Sequence, residues 1–388
     1  SPAMLFYLHN ARSTVDSRLT SFGMQQRARV NPRRAQRPQQ IRNLGLNENY
    51  ARELLELHTL GVDGGYTQQD VIEVARALTG WTIVPANAGN AARQQQRQFG
   101  RAIGEPGSFV FRPELHDADE KVVLGHRLSA GRGMQDGEDV LDIVARHPST
   151  ARYIATKLAR RFISDSPPQS IVDRAAATFT KTDGDIREVV RTILTSPEFF
   201  ARTAFRAKVK SPFEVVTSAA RALGAKPDPT PRTALVIAYL GQPIFGHQAP
   251  NGYPETGEAW MNTGAILNRI NFGLLAASPR FSGPIADAFG GPSILTAPRD
   301  KQVDAVAHAL LGGAISPDTR KILVSGDNPF LGHADASASA AGIATAAEQA
   351  NPMPRRGAQN GRMMQPQKLT GFAQIVGLAI GSPEFQRR

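Results

Sequence analysis

The 388-residue sequence contains no cysteine. Disulfide scaffolds, thiolate metal sites and cysteine nucleophiles are therefore excluded. No apolar run approaches the roughly eighteen residues of a spanning helix, which excludes a helical membrane span within the sequence. No Gly-rich phosphate loop, nucleophile elbow or zinc-binding helix motif occurs, which disfavours a nucleotide-binding enzyme or a serine hydrolase. The opening, Ser1-Pro2-Ala3-Met4-Leu5-Phe6-Tyr7-Leu8, lacks the charged region and cleavage site of a signal peptide. It reads as a helix entered in mid-protein, with Ser1 as N-cap and Pro2 in the first turn. A natural N-terminal portion is therefore expected before it. The lack of cysteine fits a periplasmic or extracellular protein.

Acids are scarce where arginine is dense. The formal net charge is +11. Residues 12 to 42 hold eight arginines against one acid, Asp16. Residues 86 to 101 add Arg93, Arg97 and Arg101, and residues 355 to 368 add Arg355, Arg356, Arg362 and Lys368, with no acid in either stretch. The positive excess thus belongs to Gln/Arg/Pro/Asn-rich segments rather than to a patterned face. Such segments bury too little apolar surface to offset the entropy of ordering. With no recognition motif present, solvated loops are expected here and nucleic acid is not the expected partner.

At 41% hydrophobic the remainder can bury a substantial core. It reads as helices separated by strong stop signals. Tyr50, Leu54 and Leu57 form one stripe over residues 49 to 60, and Gly61 ends the run. Thr67 with Asp70 three residues on is a capping-box variant that opens a helix carrying Val71, Val74, Ala75 and Leu78 inward. A capping residue followed by proline recurs at His147-Pro148, Ser196-Pro197, Ser211-Pro212, Ser316-Pro317 and Ser382-Pro383, a device that starts helices. Further helices are expected over 150–162, 170–180, 185–195, 213–223, 259–276, 300–312 and 369–380. Segments 189–199 and 375–385 resemble each other, both closing on Ser-Pro-Glu-Phe, which indicates two similarly built helix ends. Strand-like stretches such as Lys121-Val122-Val123-Leu124 are short and few. The expected class is mainly α, an irregular multi-helix array with long loops and few short strands. Residues 1–325 are expected to form a helical core with basic insertions at 12–42 and 86–108, residues 326–366 a flexible insertion or linker, and residues 367–388 a C-terminal helix returning to the core.

The block from Asn47 to Gly61, Asn-Glu-Asn-Tyr-Ala-Arg-Glu-Leu-Leu-Glu-Leu-His-Thr-Leu-Gly, resembles the bacterial family catalogued as domain of unknown function 1800. The resemblance continues through Gly65-Tyr66-Thr67, Ala75-Arg76-Ala77-Leu78-Thr79-Gly80-Trp81, His116-Asp117, His147-Pro148-Ser149-Thr150, Gly241-Gln242-Pro243, Gly252-Tyr253-Pro254, Trp260-Met261-Asn262 and the closing Ser382-Pro383-Glu384-Phe385-Gln386. It implies a large bacterial protein, exported in many members, often encoded beside a sulfatase-like protein that is a candidate partner. It implies no reaction. The family pattern also includes an upstream Trp-His-Asn-His-like motif that this chain lacks, so the chain is expected to be a fragment carrying part of any site built there.

Three constellations could carry chemistry. Glu53 and Glu56 sit three apart on one helical face, with Asn49 one turn before Glu53. Joined by His116, this carboxylate pair could hold a divalent metal or serve as acid and base. Arg76 or another arginine could instead pair with the acids and simply lock the hairpin. His116-Asp117 in a loop suits a metal ligand or general base, with Lys121 completing an anion-binding corner, or equally a turn with a half-buried histidine. Tyr253 and Trp260, with Asn262 and Arg269, stand beside Gly/Pro-rich loops where aromatics stack on sugar rings. The bland alternative makes Trp260 a core anchor and pairs Arg269 with a buried acid. Asp183-Gly184-Asp185 lacks the remaining ligands of a calcium loop and reads as a turn, with Asp185 as an N-cap.

Two functions are thus expected to compete. One is an exported, metal-assisted enzyme acting on an extracellular polymer such as a glycan. Glu53, Glu56 and His116 would be its metal ligands, these three with Asp117 its catalytic groups, and Asn49, Arg76, Lys121, Tyr253 and Trp260 its ligand contacts. The other is a non-catalytic helical scaffold or partner-binding protein.

Overall fold

In the computed structural model the described residues are 1–14, 45–84, 104–226, 229–279, 281–327 and 369–388. The basic insertions expected at 12–42 and 86–108 and the linker at 326–366 fall almost wholly outside them. Among the described residues there are thirteen α-helices and two antiparallel two-stranded sheets, so the protein is mainly α. No described helix is long and apolar enough to cross a membrane. The chain divides into two compact units, Ser1–Ala159 with Pro168–Ser196, and Arg160–Pro167 with Pro197–Arg388.

The first unit opens with α1 (Pro2–Tyr7), where Pro2 takes the first helical position but Ser1 makes no side-chain cap bond. Helix α2 (Glu48–Glu53) is capped by the Asn47 carboxamide, which accepts from Tyr50 N–H. It runs on as a π-helical turn over Leu54–Thr59, where a regular α-helix is expected from the apolar stripe. Gly61, just past its C-cap Leu60, has a φ of +88°, and a Cβ there would stand 2.7 Å from the Tyr153 ring, so glycine is required twice over. Tyr153 also donates to the Leu57 carbonyl at 3.0 Å, satisfying a group within the wide turn. Helix α3 (Gln68–Ala77) has the full capping box that Thr67 and Asp70 foretell. Strands β1 (Trp81–Ile83) and β2 (Phe109–Phe111) pair with Trp81 opposite Phe111, and β3 (Lys121–Val123) pairs with β4 (His126–Leu128). Helices α4 (Met134–Arg146), α5 (Pro148–Phe162), α6 (Gln169–Lys181) and α7 (Ile186–Leu194) follow, the boundary between the units falling after Ala159 of α5. Leu5, Leu55, Val71, Val74, Leu78, Val123, Val140 and Val144 form the core.

The second unit contains α8 (Pro212–Ala222), α9 (Arg232–Tyr239), α10 (Thr263–Ala276), α11 (Arg299–Leu311), α12 (Pro317–Ser325) and α13 (Gly371–Gly381). Helix α13 is apolar almost all round and buried in the core beside Phe272, Val303 and Leu323. Glycines let it approach α10 closely. A Cβ at Gly273 would lie 2.4 Å from the Gly377 carbonyl oxygen, and one at Gly377 would lie 3.0 Å from Leu274 Cα. A side chain at either position would force the helices apart.

The proline-opened helices form at Pro148, Pro212 and Pro317. His147 caps the first with its ring nitrogen, which accepts from Ser149 N–H at 3.2 Å. The copies at Ser196 and Ser382 do not open helices; each leads into a turn. Ser196 bonds back to the Ile193 carbonyl of the helix it follows, which removes its hydroxyl from the capping position. Asp185 caps α7 through Arg187 and Glu188 N–H, as its position in the Asp183-Gly184-Asp185 turn suggests.

Candidate functional site

The first unit gathers His116, Asp117 and Lys121 but not the pair on α2. The main chain at Asp117 is fixed by its N–H donating to Thr79 Oγ1. Its carboxylate takes a bidentate pair of hydrogen bonds from Arg76, at 2.8 and 3.2 Å. Arg76 also donates to Glu73 at 2.8 Å. Burial pushes the Asp117 carboxyl up, but the Arg76 guanidinium and the Asp119 N–H outweigh it and hold it below the usual carboxylate range. Lys121 is 1% exposed, and its ammonium donates to the carbonyls of Asp117 and Asp119 and, at 2.8 Å, to Asp136 Oδ2. His116 stands between Thr79 and Asp136. Its Nδ1 lies 3.0 Å from the Thr79 carbonyl, which can only accept, so Nδ1 carries hydrogen. Its Nε2 lies 3.3 Å from Asp136 Oδ2.

The arrangement is a sealed polar knot. Asp136 is wholly buried and His116 is 8% exposed, so neither can touch a substrate in this conformation. Every donor of the Lys121 ammonium has an acceptor, which leaves none for the anion-binding corner expected of it. His116 is therefore buried rather than half-buried, and Asp117 is a partner of Arg76 rather than a free base.

Asn49, Glu53 and Glu56 lie on the hairpin helix without joining this knot. Glu56 Oε2 accepts from the Tyr66 hydroxyl at 3.3 Å. Burial first, and then the neighbouring Glu56 carboxylate, push the Glu53 carboxyl up. Glu53 and Glu56 are not brought to His116: among the described residues no three His, Asp or Glu side chains are grouped so as to hold a metal.

The second unit builds a different kind of site around Tyr253 and Trp260. Residues Lys208–Lys210 run antiparallel to Gln386–Arg388, with Lys208 N–H donating to the Arg388 carbonyl and Arg388 N–H donating back. Because side chains alternate along such a ladder, Arg387 and Arg388 point to opposite faces. Arg388 enters a polar pocket of about 220 Å³ whose lining includes Arg161, Lys208, Glu214, Tyr253, Glu255 and Trp260.

Glu214 is fixed in this pocket by its place in α8. As the third residue after Ser211 it completes a capping box, its Oε2 accepting from Ser211 N–H at 2.8 Å. That leaves Oε1 facing Arg161 at 2.7 Å and Arg388 Nε at 3.0 Å. Burial pushes the Glu214 carboxyl up, but the Ser211 N–H and the two arginines prevail and keep it ionised well into acid. Arg161 reaches Glu255 as well, and Lys208 bonds Asp165 and the Glu255 carbonyl. Arg388 is the exception. Its Nε is paired with Glu214 and its Nη1 donates to the Arg161 carbonyl, but its Nη2 is buried and has no acceptor among the described residues. The pocket's aromatic wall is held by main-chain carbonyls: Tyr253 donates to Pro243 at 2.6 Å and Trp260 Nε1 to Pro254 at 3.1 Å. The two rings are 6.0 Å apart.

A family model described as Protein of unknown function (DUF1800) matches residues 1–387. The chain belongs to this family. Neither a curated protein nor a solved structure matches it. DUF1800 membership is thus carried by both units, while the residue roles rest on the geometry alone.

Seen in this DUF1800 chain, Gly241-Gln242-Pro243 is the loop that anchors the aromatic wall: Gln242 accepts from Phe213 N–H at 2.9 Å and Pro243 accepts from Tyr253. Asn262 caps α10, accepting from Ala265 N–H. Arg269 is buried but pairs with no acid among the described residues; it donates to Gln386 and to the Lys210 carbonyl. Reading the sequence missed Asp136, Arg161, Glu214 and Arg388 as members of either site. Glu214 alone left a signal, the Ser211-Pro212-Phe213-Glu214 capping box. Arg161 reads as outward from helical periodicity, yet it is ion-paired to both pocket acids.

Proposed function

We propose that this protein is a binding protein rather than an enzyme, and that the polar pocket of its second unit holds a small, oxygen-rich ligand of the sugar class, bearing an anionic substituent. One observation carries this reading. Arg388 presents one buried donor, Nη2, without an acceptor among the described residues at the wall of a pocket that also contains Tyr253 and Trp260. A buried donor without a partner costs about 1–3 kcal/mol, which a ligand oxygen would recover. Aromatic faces beside fixed polar groups suit the apolar face and hydroxyl rim of a pyranose. The charges support binding over catalysis, because Glu214 is locked between arginines and cannot act as a general acid near neutral pH. An exported location and a sulfatase-like partner, both expected from the family resemblance, would place the protein among anionic glycans.

The test is calorimetric titration of the whole chain with glucuronate, a sulfated monosaccharide and glucose. Saturable binding of an anionic sugar is expected, weakened about ten-fold or more by Arg388→Met and by Trp260→Ala. No binding of any of the three, or equal binding of glucose and the anionic sugars, would sink the proposal.

The metal-assisted reading retains one supporting observation, the raised carboxyl of Glu53 beside Glu56. A like-charge pair of this kind gains from a shared cation. Manganese or calcium titration against Glu53→Gln separates it: unchanged stability of both proteins with added metal would end it.

A further inference from the structure

The second unit contains another cavity that the sugar pocket does not use. It encloses about 350 Å³ between α10, α12 and α13, and its walls include Ile266, Ile270, Ile322 and Leu378. Arg269 and Arg387 also line it. Arg387 reaches it because the ladder that points Arg388 into the sugar pocket turns the preceding residue to the opposite face.

Arg269 is an unusual residue to find there. It is 2% exposed, and its guanidinium donates only to neutral acceptors, Gln386 Oε1 at 2.7 Å and the Lys210 carbonyl at 2.9 Å. Its Nε has no acceptor. Among the described residues no carboxylate lies within ion-pair distance of it. The acid whose field it feels most, Glu214, is already bound by Ser211, Arg161 and Arg388. Burial consequently lowers the Arg269 pKa to about 10, against an ordinary value well above that. A buried cation without a counter-charge is costly, and proteins normally supply one. Arg387 adds a second cation at the same cavity, exposed and without a side-chain partner among the described residues.

We infer that this cavity binds an anionic amphiphile, a single-chain fatty carboxylate, with its hydrocarbon chain among Ile266, Ile270, Ile322 and Leu378 and its carboxylate on Arg269 and Arg387. The chemistry of the lining favours this ligand over others. The walls are mainly apolar and their polar members Thr319, Ser382 and Gln386 are already bonded within the protein, so a sugar gains little there, whereas an acyl chain gains from every methylene it removes from water. A neutral hydrocarbon would leave the Arg269 charge uncompensated. A carboxylate supplies the missing counter-charge and an acceptor for the unbonded Nε. This reading is independent of the sugar proposal, since it rests on a separate cavity and on the opposite face of the Arg387–Arg388 ladder.

Decanoate, decanol and hexadecanoate serve as probes, titrated into the whole chain by calorimetry. Decanoate is expected to bind saturably, with decanol at least about ten-fold weaker because it lacks the charge. Arg269→Met should weaken decanoate at least ten-fold and leave decanol unchanged. Ile322→Trp, which fills the cavity from a partly buried position, should weaken decanoate and decanol alike. Binding of decanol as tight as decanoate would overturn the assignment of Arg269. Absence of decanoate and hexadecanoate binding to the unmodified chain would overturn the site itself, whatever the variants do. Since the unmodified chain alone decides that point, a variant that fails to fold does not rescue the proposal.

Discussion

The two units handle buried charge in opposite ways. In the first, Arg76, Asp117, Lys121, Asp136 and His116 bond almost entirely to one another and to the main chain, and the atom left without a partner, Asp136 Oδ1, is an acceptor rather than a donor. In the second, Arg269 and Arg388 keep donors without acceptors, and both line cavities. The same residue types thus mean different things. A closed network holds secondary structure together, because α3, β3, α4 and the loop at His116 all meet in it. An incomplete network beside empty volume points to something that arrives from outside. Counting histidines and acids in sequence ranks the first region higher; asking which of their atoms lack partners ranks the second higher.

The comparison breaks most easily at Asp136. Asp136→Ala would strand Lys121 and His116 in the core, and a loss of about 3–5 kcal/mol is expected in urea unfolding. A loss below about 1 kcal/mol would show that the knot is open to water and that the contrast drawn above is wrong. Next in size is Gly377→Ala, where the added Cβ meets the α10 backbone; a loss of about 1–3 kcal/mol is expected by thermal unfolding. Removing a cap tests the helix starts in each unit: Thr67→Ala and Ser211→Ala should each cost about 1 kcal/mol. Neither variant is expected to weaken ligand binding at the polar pocket, because alanine at position 211 keeps the main-chain N–H that holds Glu214 Oε2 and the two arginines still hold Oε1.

A pH measurement sharpens the second half of the comparison. Lys210 lies over the Phe385 ring at 4.1 Å, and burial lowers its pKa to about 8. Between that value and the ordinary lysine range above 10, the unfolded chain binds the proton and the folded chain does not. Stability therefore rises with pH across this window, and the charged form is a burden below it. Lys210→Met should remove that rise, as read from urea midpoints at pH 7.5 and pH 9.5. The smallest effect is expected from Glu120→Gln, because the Glu120–Arg127 pair is 44% and 73% exposed; a change under about 0.5 kcal/mol should result.

Much of the fold was legible because its signals are local. Gly61, the Thr67–Asp70 box and the prolines at 148, 212 and 317 act within one turn of the residues they fix. Helix α4 was not foreseen, because Asp136-Gly137 reads as a turn signal. In the folded chain Gly137 is there for packing: a Cβ would stand 2.5 Å from the Trp81 indole. Helix α9 is also missing from the expected helices, although Pro231 before it and Gly241 after it bound the run. The aromatic pair Tyr253 and Trp260 was visible as a candidate, since it follows a Gly/Pro-rich loop. Its polar counterpart was not. Arg161, Glu214 and Arg388 are separated by long stretches of chain and converge only through the ladder joining Lys208–Lys210 to Gln386–Arg388. Likewise the bet on Glu53, Glu56 and His116 required a convergence that no local signal can report.

The wide turn at Leu54–Thr59 sets the rotational phase of everything that follows it in the hairpin. A π-helical turn holds one residue more than the α-helical turn it replaces. Deleting one residue there would restore ordinary α-helical bonding and rotate everything beyond it by about 100°. Gly61 would then swing off the Tyr153 ring. A shortened chain of this kind, compared with the intact one by amide exchange, would show whether the extra residue is required to set the angle of the hairpin.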